Sequence, residues 1–397
     1  MIKPVIVAVG YNRPHCMKRL LESIGRAEYK IKDVTLVVSI DESDKSDDVE
    51  KIAKEFVWQY GEKIIRRFPQ RQGLKNHIIQ CGDLSKKYGA VIILEDDLYV
   101  SSGFYSYVCQ AQEYYADNEK IAGVSLYSNA LNVFSQDRFV PVKNQYDTYL
   151  GQYIITWGQC WTAKQWNRYK TWFLENDEKL PNRNDKMPLE ILSWTRSWGK
   201  YFISYMVEND LYYVMPYTAL STNFSEQGEH NPNKGYETAY QVSLLQHTMD
   251  YRFPIFEDAV KYDSFFERVY DEEIIPGISG KDVCFDLYGM RVTPLGKKYL
   301  LSCKKYNFPI VKTYGLRMRP QEQNVISGIE GNGIYLYKVN GDETLYSGKR
   351  RKPASEIVEA KARYEAQGLT RMLLLPHVVR LYKEAVVRKL KKLLKKQ

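Results

Sequence analysis

A chain of 397 residues that is 44% hydrophobic and 26% charged holds enough apolar mass for one large core and a smaller one, and too much to remain disordered. No apolar run reaches the ~18 residues that a bilayer span requires. The formal charge of +9 is concentrated at one end: residues 371–397 carry nine Lys or Arg against one Glu, a net +8, which leaves the other 370 residues near neutral at +1 and excludes a nucleic-acid-binding body.

The first 128 residues alternate strand and helix signals. Val5–Val9 reads as an apolar strand and Pro14–Gly25 as an amphipathic helix with Leu20, Leu21 and Ile24 on one face. Val34–Ile40 (strand), Val49–Tyr60 (helix), Lys63–Phe68 (strand) and Leu74–Lys87 (helix) follow. Ala90–Leu94 is a strand, Phe104–Tyr115 a helix and Ile121–Tyr127 a strand. This order predicts a parallel α/β sheet with helices on both faces.

The Val91–Leu94 run ends in Glu95-Asp96-Asp97. Carboxylates at the C-terminal end of a buried parallel strand stand where open α/β sheets bind ligands. Their oxygens either suit a hard divalent cation, Mn²⁺ or Mg²⁺, that can hold a diphosphate, or merely solvate a turn and cap the next helix. Asp41 ends the second strand, where a carboxylate can accept from a base imide or cap a turn. Arg13 follows the first strand and can pair with phosphate. Gly73-Leu74-Lys75 opens a helix, whose N-terminus favours a negative group.

Residues 129–240 are rich in Trp, Tyr and Asn. Trp157, Trp161, Trp194 and Trp198 read either as sugar-stacking walls or as core. Asn223–Gly235 is a Gly/Asn/Glu-rich loop of lid length. Residues 241–353 read as short strands with turns at Gly331-Asn332-Gly333 and Asn340-Gly341, and 354–368 as a polar helix. At about 376–397, Val379, Tyr382, Val386, Val387, Leu390, Leu393 and Leu394 share one helical face, and Arg380, Arg388, Lys391, Lys392, Lys395 and Lys396 the other. That pattern predicts a helix lying on an anionic membrane. The expected domains are 1–240 (catalytic, divided at 128), 241–353 (accessory) and 354–397 (helical tail).

Six cysteines are scattered without a CxxC pair. The spacing predicts free thiols in a reducing compartment and no zinc site. Met1-Ile2-Lys3-Pro4 enters a strand with no signal-peptide layout. The expected location is therefore the cytoplasm, peripherally on the inner face of the cell membrane.

Four segments together resemble the GT-A glycosyltransferases, and within them N-acetylglucosaminyltransferase I and related bacterial capsule and surface-polysaccharide transferases. They are Val7–Pro14, Ser39–Ser43, Leu94–Leu98 with Gly103-Phe104, and Thr222–His230. The resemblance covers about residues 1–235. It implies a Rossmann-like, mostly parallel sheet flanked by helices, with a smaller C-terminal α+β extension and the terminal amphipathic helix. It also implies Asp97 as the metal ligand, Asp41 at the uracil, and Glu95 and Asp96 at ribose, base or metal-bound water. Glu226 and His230 fall in the loop that closes over the donor, beside Arg13 and Lys75 in nucleotide-sugar binding. The implied activity is inverting transfer of a hexosyl or N-acetylhexosaminyl group from a UDP-sugar to a lipid-linked or oligosaccharide acceptor. One position departs: where the family has an aspartate base before a tryptophan, Ser193 precedes Trp194. Glu190 and Asp185 are the substitute bases, with Glu226 and Glu229 behind them. A non-catalytic glycan-binding scaffold and a nucleotidyltransferase are the alternatives. Gly10–Pro14 lacks the Gly-rich basic loop that the second needs.

Overall fold

The computed structural model describes residues 2–135, 137–176, 185–192, 194, 197–224, 226, 240–341 and 343–345. The tail and its expected membrane helix lie outside the described residues, as do Ser193, Glu229 and His230.

The N-terminal half alternates as expected. Strand β1 (Val5–Gly10) leads to helix α1 (Pro14–Gly25), β2 (Leu36–Ile40) to α2 (Ser46–Glu55), and β3 (Lys63–Arg67) to α3 (Leu74–Gly82) and α4 (Ser85–Tyr88). Then come β4 (Ala90–Glu95), β5 (Leu98–Val100), α5 (Phe104–Tyr114) and β6 (Ile121–Ser125). The middle of the chain supplies β7 (Thr148–Gly151), β8 (Gln159–Thr162), α6 (Ala163–Asn176), α7 (Leu189–Leu192), α8 (Gly199–Glu208), β9 (Tyr212–Pro216) and β10 (Ser221–Asn223). Short β11 (Lys261–Tyr262) and β12 (Arg268–Val269) precede β13 (Val283–Asp286), β14 (Tyr299–Ser302), β15 (Ile310–Tyr314), α9 (Gln323–Ile326) and β16 (Ile334–Lys338).

Ten strands form one sheet in the order β12-β11-β7-β9-β6-β8-β4-β1-β2-β3. The β4-β1-β2-β3 block is parallel throughout. Val5, Val7 and Val9 enter one core and Ile6 and Ala8 the other, so β1 is buried on both faces. That explains its unbroken apolar sequence. β8 is inserted antiparallel between β4 and β6, which makes the other half of the sheet mixed. Because β11 and β12 join this sheet, it continues past residue 240, the expected end of the catalytic domain. A separate four-stranded sheet, β13-β14-β16-β15, forms the smaller C-terminal unit of architecture.

Two helices differ from their sequence patterns for tertiary reasons. The 49–60 pattern becomes Ser46–Glu55, because the chain turns extended at Phe56. There the Trp58 indole N–H donates to Val34 O at 2.8 Å and the ring packs on Tyr29 and Tyr60. The 74–87 pattern breaks at Asp83, whose carboxylate accepts from Trp166 Nε1 and Lys170 Nζ, both at 2.9 Å. Trp161 and Trp198 are fully buried with Trp166 and Phe202, so these two tryptophans are core rather than exposed walls. Trp157 is half-buried between Tyr127 and Tyr240, and Trp194 stacks on Phe134.

Candidate functional site

Three parallel strand ends build the site. Val9 pairs with Glu95 and Gly10 with Ile40. The register therefore sets Asp96 and Asp97 on one side of Tyr11 and Asp41 on the other, at the carboxyl edge where α/β sheets bind ligands. Arg13 is the N-cap residue of α1 but makes no side-chain cap, and Pro14 starts the helix without needing one. Its guanidinium instead reaches Asp96, in a close ion pair, and Asp97 at 3.6 Å.

Among the described residues the site is short of positive charge. Three carboxylates meet one guanidinium, and Glu95 Oε1 and Asp97 Oδ1 are buried without a hydrogen-bond partner among the described residues. Burial, opposed by Arg13 and reinforced by Asp97, pushes Asp96 up to about 6. Burial, with Asp97 and then Asp96 beside it, pushes Glu95 well above the usual carboxylate range. Desolvated, mutually repelling carboxylates with orphaned oxygens fit a hard divalent cation.

Asp41 is 3% exposed and bound by the backbone. Its carboxylate accepts from the N–H groups of Glu42 at 2.9 Å, Gln72 at 2.7 Å and Gly73 at 2.9 Å. It thus fixes the turn into α3, where Gly73 takes φ 74°, a conformation that favours glycine. A carboxylate offers about four lone-pair directions, so one remains for a base imide. Beneath this turn, Ser39 Oγ meets His77 Nε2 at 2.7 Å and accepts from Arg66 Nη2 at 2.8 Å. Burial lowers His77 to about 4, so the imidazole is neutral and supports the turn. Lys75 extends over the rings of Tyr201 (5.5 Å) and Phe173 (5.7 Å), toward α6 and α8.

Glu226 is held by α1. Arg19 Nη1 and Nη2 grip its carboxylate at 2.9 and 2.7 Å, and Cys16 Sγ donates to it at 2.8 Å. The Arg19 hydrogen bonds are the main cause that lowers Glu226 to about 2, against its partial burial. Arg19 also lies 3.7 Å from the Phe224 ring centre, and the Phe224 N–H donates to Asp97 O at 3.1 Å. Glu226 is thereby tied to α1, and Phe224 both to Arg19 and to the acid turn. Nothing in the local sequence pattern marks Arg19; the one available signal is its i,i+4 spacing from His15 on the polar face of α1. Asp185 and Glu190 are half-buried in the stretch leading to α8, with Glu190 in α7.

No family model and no curated protein matches the chain. Among solved structures it is similar to S. aureus TarS 1–349, with 14% identity and a TM-score of 0.35 over 56% of this chain and 60% of that one. A structure of TarS 1–349 in complex with UDP-GlcNAc gives 12% and 0.36 over 57% and 60%. The mannosyltransferase PcManGT from Pyrobaculum calidifontis, in complex with GDP-Man and Mn²⁺, gives 15% and 0.30 over 41% and 46%. The match therefore spans less than two thirds of the length of each of these structures.

Proposed function

We propose that the chain is a metal-dependent glycosyltransferase of the GT-A type that moves a sugar from a UDP-linked donor to a lipid-linked glycan in bacterial surface-polysaccharide assembly. The observation that carries this reading is the under-neutralised Glu95-Asp96-Asp97 turn beside Arg13 at the carboxyl edge of the parallel block, with Asp96 buried and one oxygen of each neighbour buried without a partner among the described residues. Asp97, with Asp96 and Glu95 beside it, would hold Mn²⁺ or Mg²⁺, which when bound offsets charge on the departing diphosphate. Arg13, which reaches Asp96 and Asp97, would offer those phosphates a planar fork of donors. Asp41 would orient the base through its remaining lone pair, and the backbone bonds that fix it supply the rigidity that positioning requires. The acceptor hydroxyl needs a carboxylate to take its proton, and Glu190 and Asp185 are the proposed bases. Glu226, gripped by Arg19, keeps its proposed role in nucleotide-sugar binding. His230 keeps its proposed role at the donor.

A thermal-shift screen of UDP, GDP and their sugar conjugates, with and without Mn²⁺, tests this. A ligand at 100 times its Kd adds about 2.7 kcal/mol to the native state. The expected result is a rise in Tm with a uridine nucleotide only when Mn²⁺ is present. No shift with any nucleotide would turn the reading toward a glycan-binding scaffold.

The metal affinity should also depend on pH. Asp96 and Glu95 hold their protons to higher pH than ordinary carboxylates, and a cation must displace those protons. Mn²⁺ affinity should therefore climb as pH rises through about 6, with proton release measurable by calorimetry in buffers of different ionisation enthalpy. A flat affinity from pH 5 to 7.5 would remove these two acids from the site.

The 376–397 segment is proposed to hold the enzyme at an anionic leaflet, where such an acceptor resides. Each cation near that surface contributes roughly 1 kcal/mol. Deleting residues 371–397 should abolish co-sedimentation with phosphatidylglycerol vesicles, and high salt should weaken it in the intact chain. Vesicle binding that survives the deletion would place the anchor elsewhere.

A further inference from the structure

We propose that His15, Cys16 and Glu226 form a second metal site, distinct from the acid turn and suited to Zn²⁺. Three ligand atoms converge: Cys16 Sγ lies 3.3 Å from His15 Nε2 and 2.8 Å from Glu226 Oε2, and His15 Nε2 lies 3.8 Å from the same Oε2. Zinc bonds of about 2.0–2.3 Å in tetrahedral geometry put such ligand atoms roughly 3.4–3.6 Å apart. The sulfur–carboxylate contact is the one that must open, by under about 1 Å, and it is the contact that now carries the thiol proton. Zn²⁺ takes the place of that proton, which leaves to solvent, and the thiolate becomes the ligand.

The donor set decides which metal. A thiolate and an imidazole with one carboxylate select a borderline-soft ion, whereas Glu95-Asp96-Asp97 offers only hard oxygen. Arg19 fits the second shell of such a site. It grips both oxygens of Glu226 and orients the carboxylate, as the outer partners of metal ligands commonly do. Access comes through His15, whose side chain is 70% exposed, while Cys16 is buried behind it. Three protein ligands leave the fourth position to water. The absence of any CxxC or HxxH spacing is why the sequence predicts no zinc site. Two of the ligands are neighbours at the start of α1, and the third arrives from 210 residues away. A metal here would cross-link α1, just past Arg13, to the segment whose Phe224 N–H bonds the Asp97 carbonyl.

The test uses the full-length chain carrying Asp97→Ala, which disables the acid turn without touching these ligands, titrated with Co²⁺ and then Zn²⁺. The expected result is a near-ultraviolet thiolate-to-cobalt absorption that Zn²⁺ abolishes, with about one proton released per metal. Cys16→Ser should eliminate the band and, with His15→Ala, weaken Zn²⁺ binding at least about tenfold; Arg19→Met should weaken it by ~10–100-fold. Serine preserves the hydrogen bond to Glu226 and His15 is on the surface, so both variants should fold, which circular dichroism checks. No thiolate band in the parent, a band that persists in Cys16→Ser, or equal Zn²⁺ affinity in parent, Cys16→Ser and His15→Ala would each overturn the proposal. Because the acid turn is already disabled, none of these outcomes bears on the transferase reading.

Discussion

Replacing Asp97 by alanine should abolish Mn²⁺-dependent nucleotide binding while leaving the melting temperature of the ligand-free chain within about 2 °C of the parent. The two halves of that result have separate causes. A hard cation loses one of its few oxygen ligands, and the affinity should fall ~100-fold or more, carrying the nucleotide with it. The fold itself loses little. Arg13 keeps Asp96 as its close partner, so no buried cation is left alone. Asp97 also repels its neighbours: its charge is one cause that raises both Glu95 and Asp96. Removing it relieves that repulsion and offsets the small loss of the 3.6 Å contact with Arg13. Calorimetric titration of Mn²⁺, then of UDP in excess Mn²⁺, against parent and variant measures the first half, and a melting curve in chelator the second. Unchanged Mn²⁺ affinity would sink the metal assignment. A variant that melts ten degrees lower would show that Asp97 is a structural acid.

Much of this arrangement is legible in the sequence, because the parallel block is governed by local rules. An apolar run with acids at its end, flanked by amphipathic helices, is a buried strand that brings carboxylates to the carboxyl edge of its sheet, and Val91–Asp97 does that. Pro14 and Gly25 bound α1 in the sequence and in the structure alike. What stayed hidden depends on distant partners. Helix α2 stops early because Trp58 finds the Val34 carbonyl, and no periodicity records that bond. Strand β8 enters antiparallel between β4 and β6, although its Cys160-Trp161 centre reads the same in either direction. The aromatic-rich stretch reads equally as sugar walls or as core, and only the fold decides: Trp161 and Trp198 pack against Phe202. Asp41 shows both kinds of knowledge at once. Its place at a strand end is local, but its grip on the Gln72 and Gly73 N–H groups reaches across 31 and 32 residues to the turn before α3. Arg19 and Glu226 are paired across 207 residues, so their roles emerge only in the folded chain.

The largest stability effect is expected far from that site, at Arg291. This side chain is 5% exposed and ties the end of the large sheet to the small one. Its Nε donates to Phe285 O at 2.6 Å, its Nη2 forms a close ion pair with Asp263, and its guanidinium lies 4.5 Å from the Phe265 ring centre. Asp263 in turn caps the 263–267 turn, accepting from Phe265 N–H at 2.9 Å and Glu267 N–H at 3.1 Å. Glu267 and Asp286 are buried beside it, and burial raises both above the usual carboxylate range. Arg291 is the principal cation opposing that rise at Glu267. Arg291→Ala therefore strands buried acids and should cost about 3–5 kcal/mol, read as a lower urea midpoint with an unchanged m-value. The cost should grow with pH. An acid whose folded pKa lies above its unfolded value binds more protons when folded, so its contribution is present at low pH and lost as pH rises through the folded pKa. Without Arg291, Glu267 is pushed higher still, and the window over which stability is lost widens upward. The midpoint difference between parent and variant should be larger at pH 8 than at pH 5. Equal differences at the two pH values would mean that the lost packing over Phe265, and not the stranded charge, accounts for the effect.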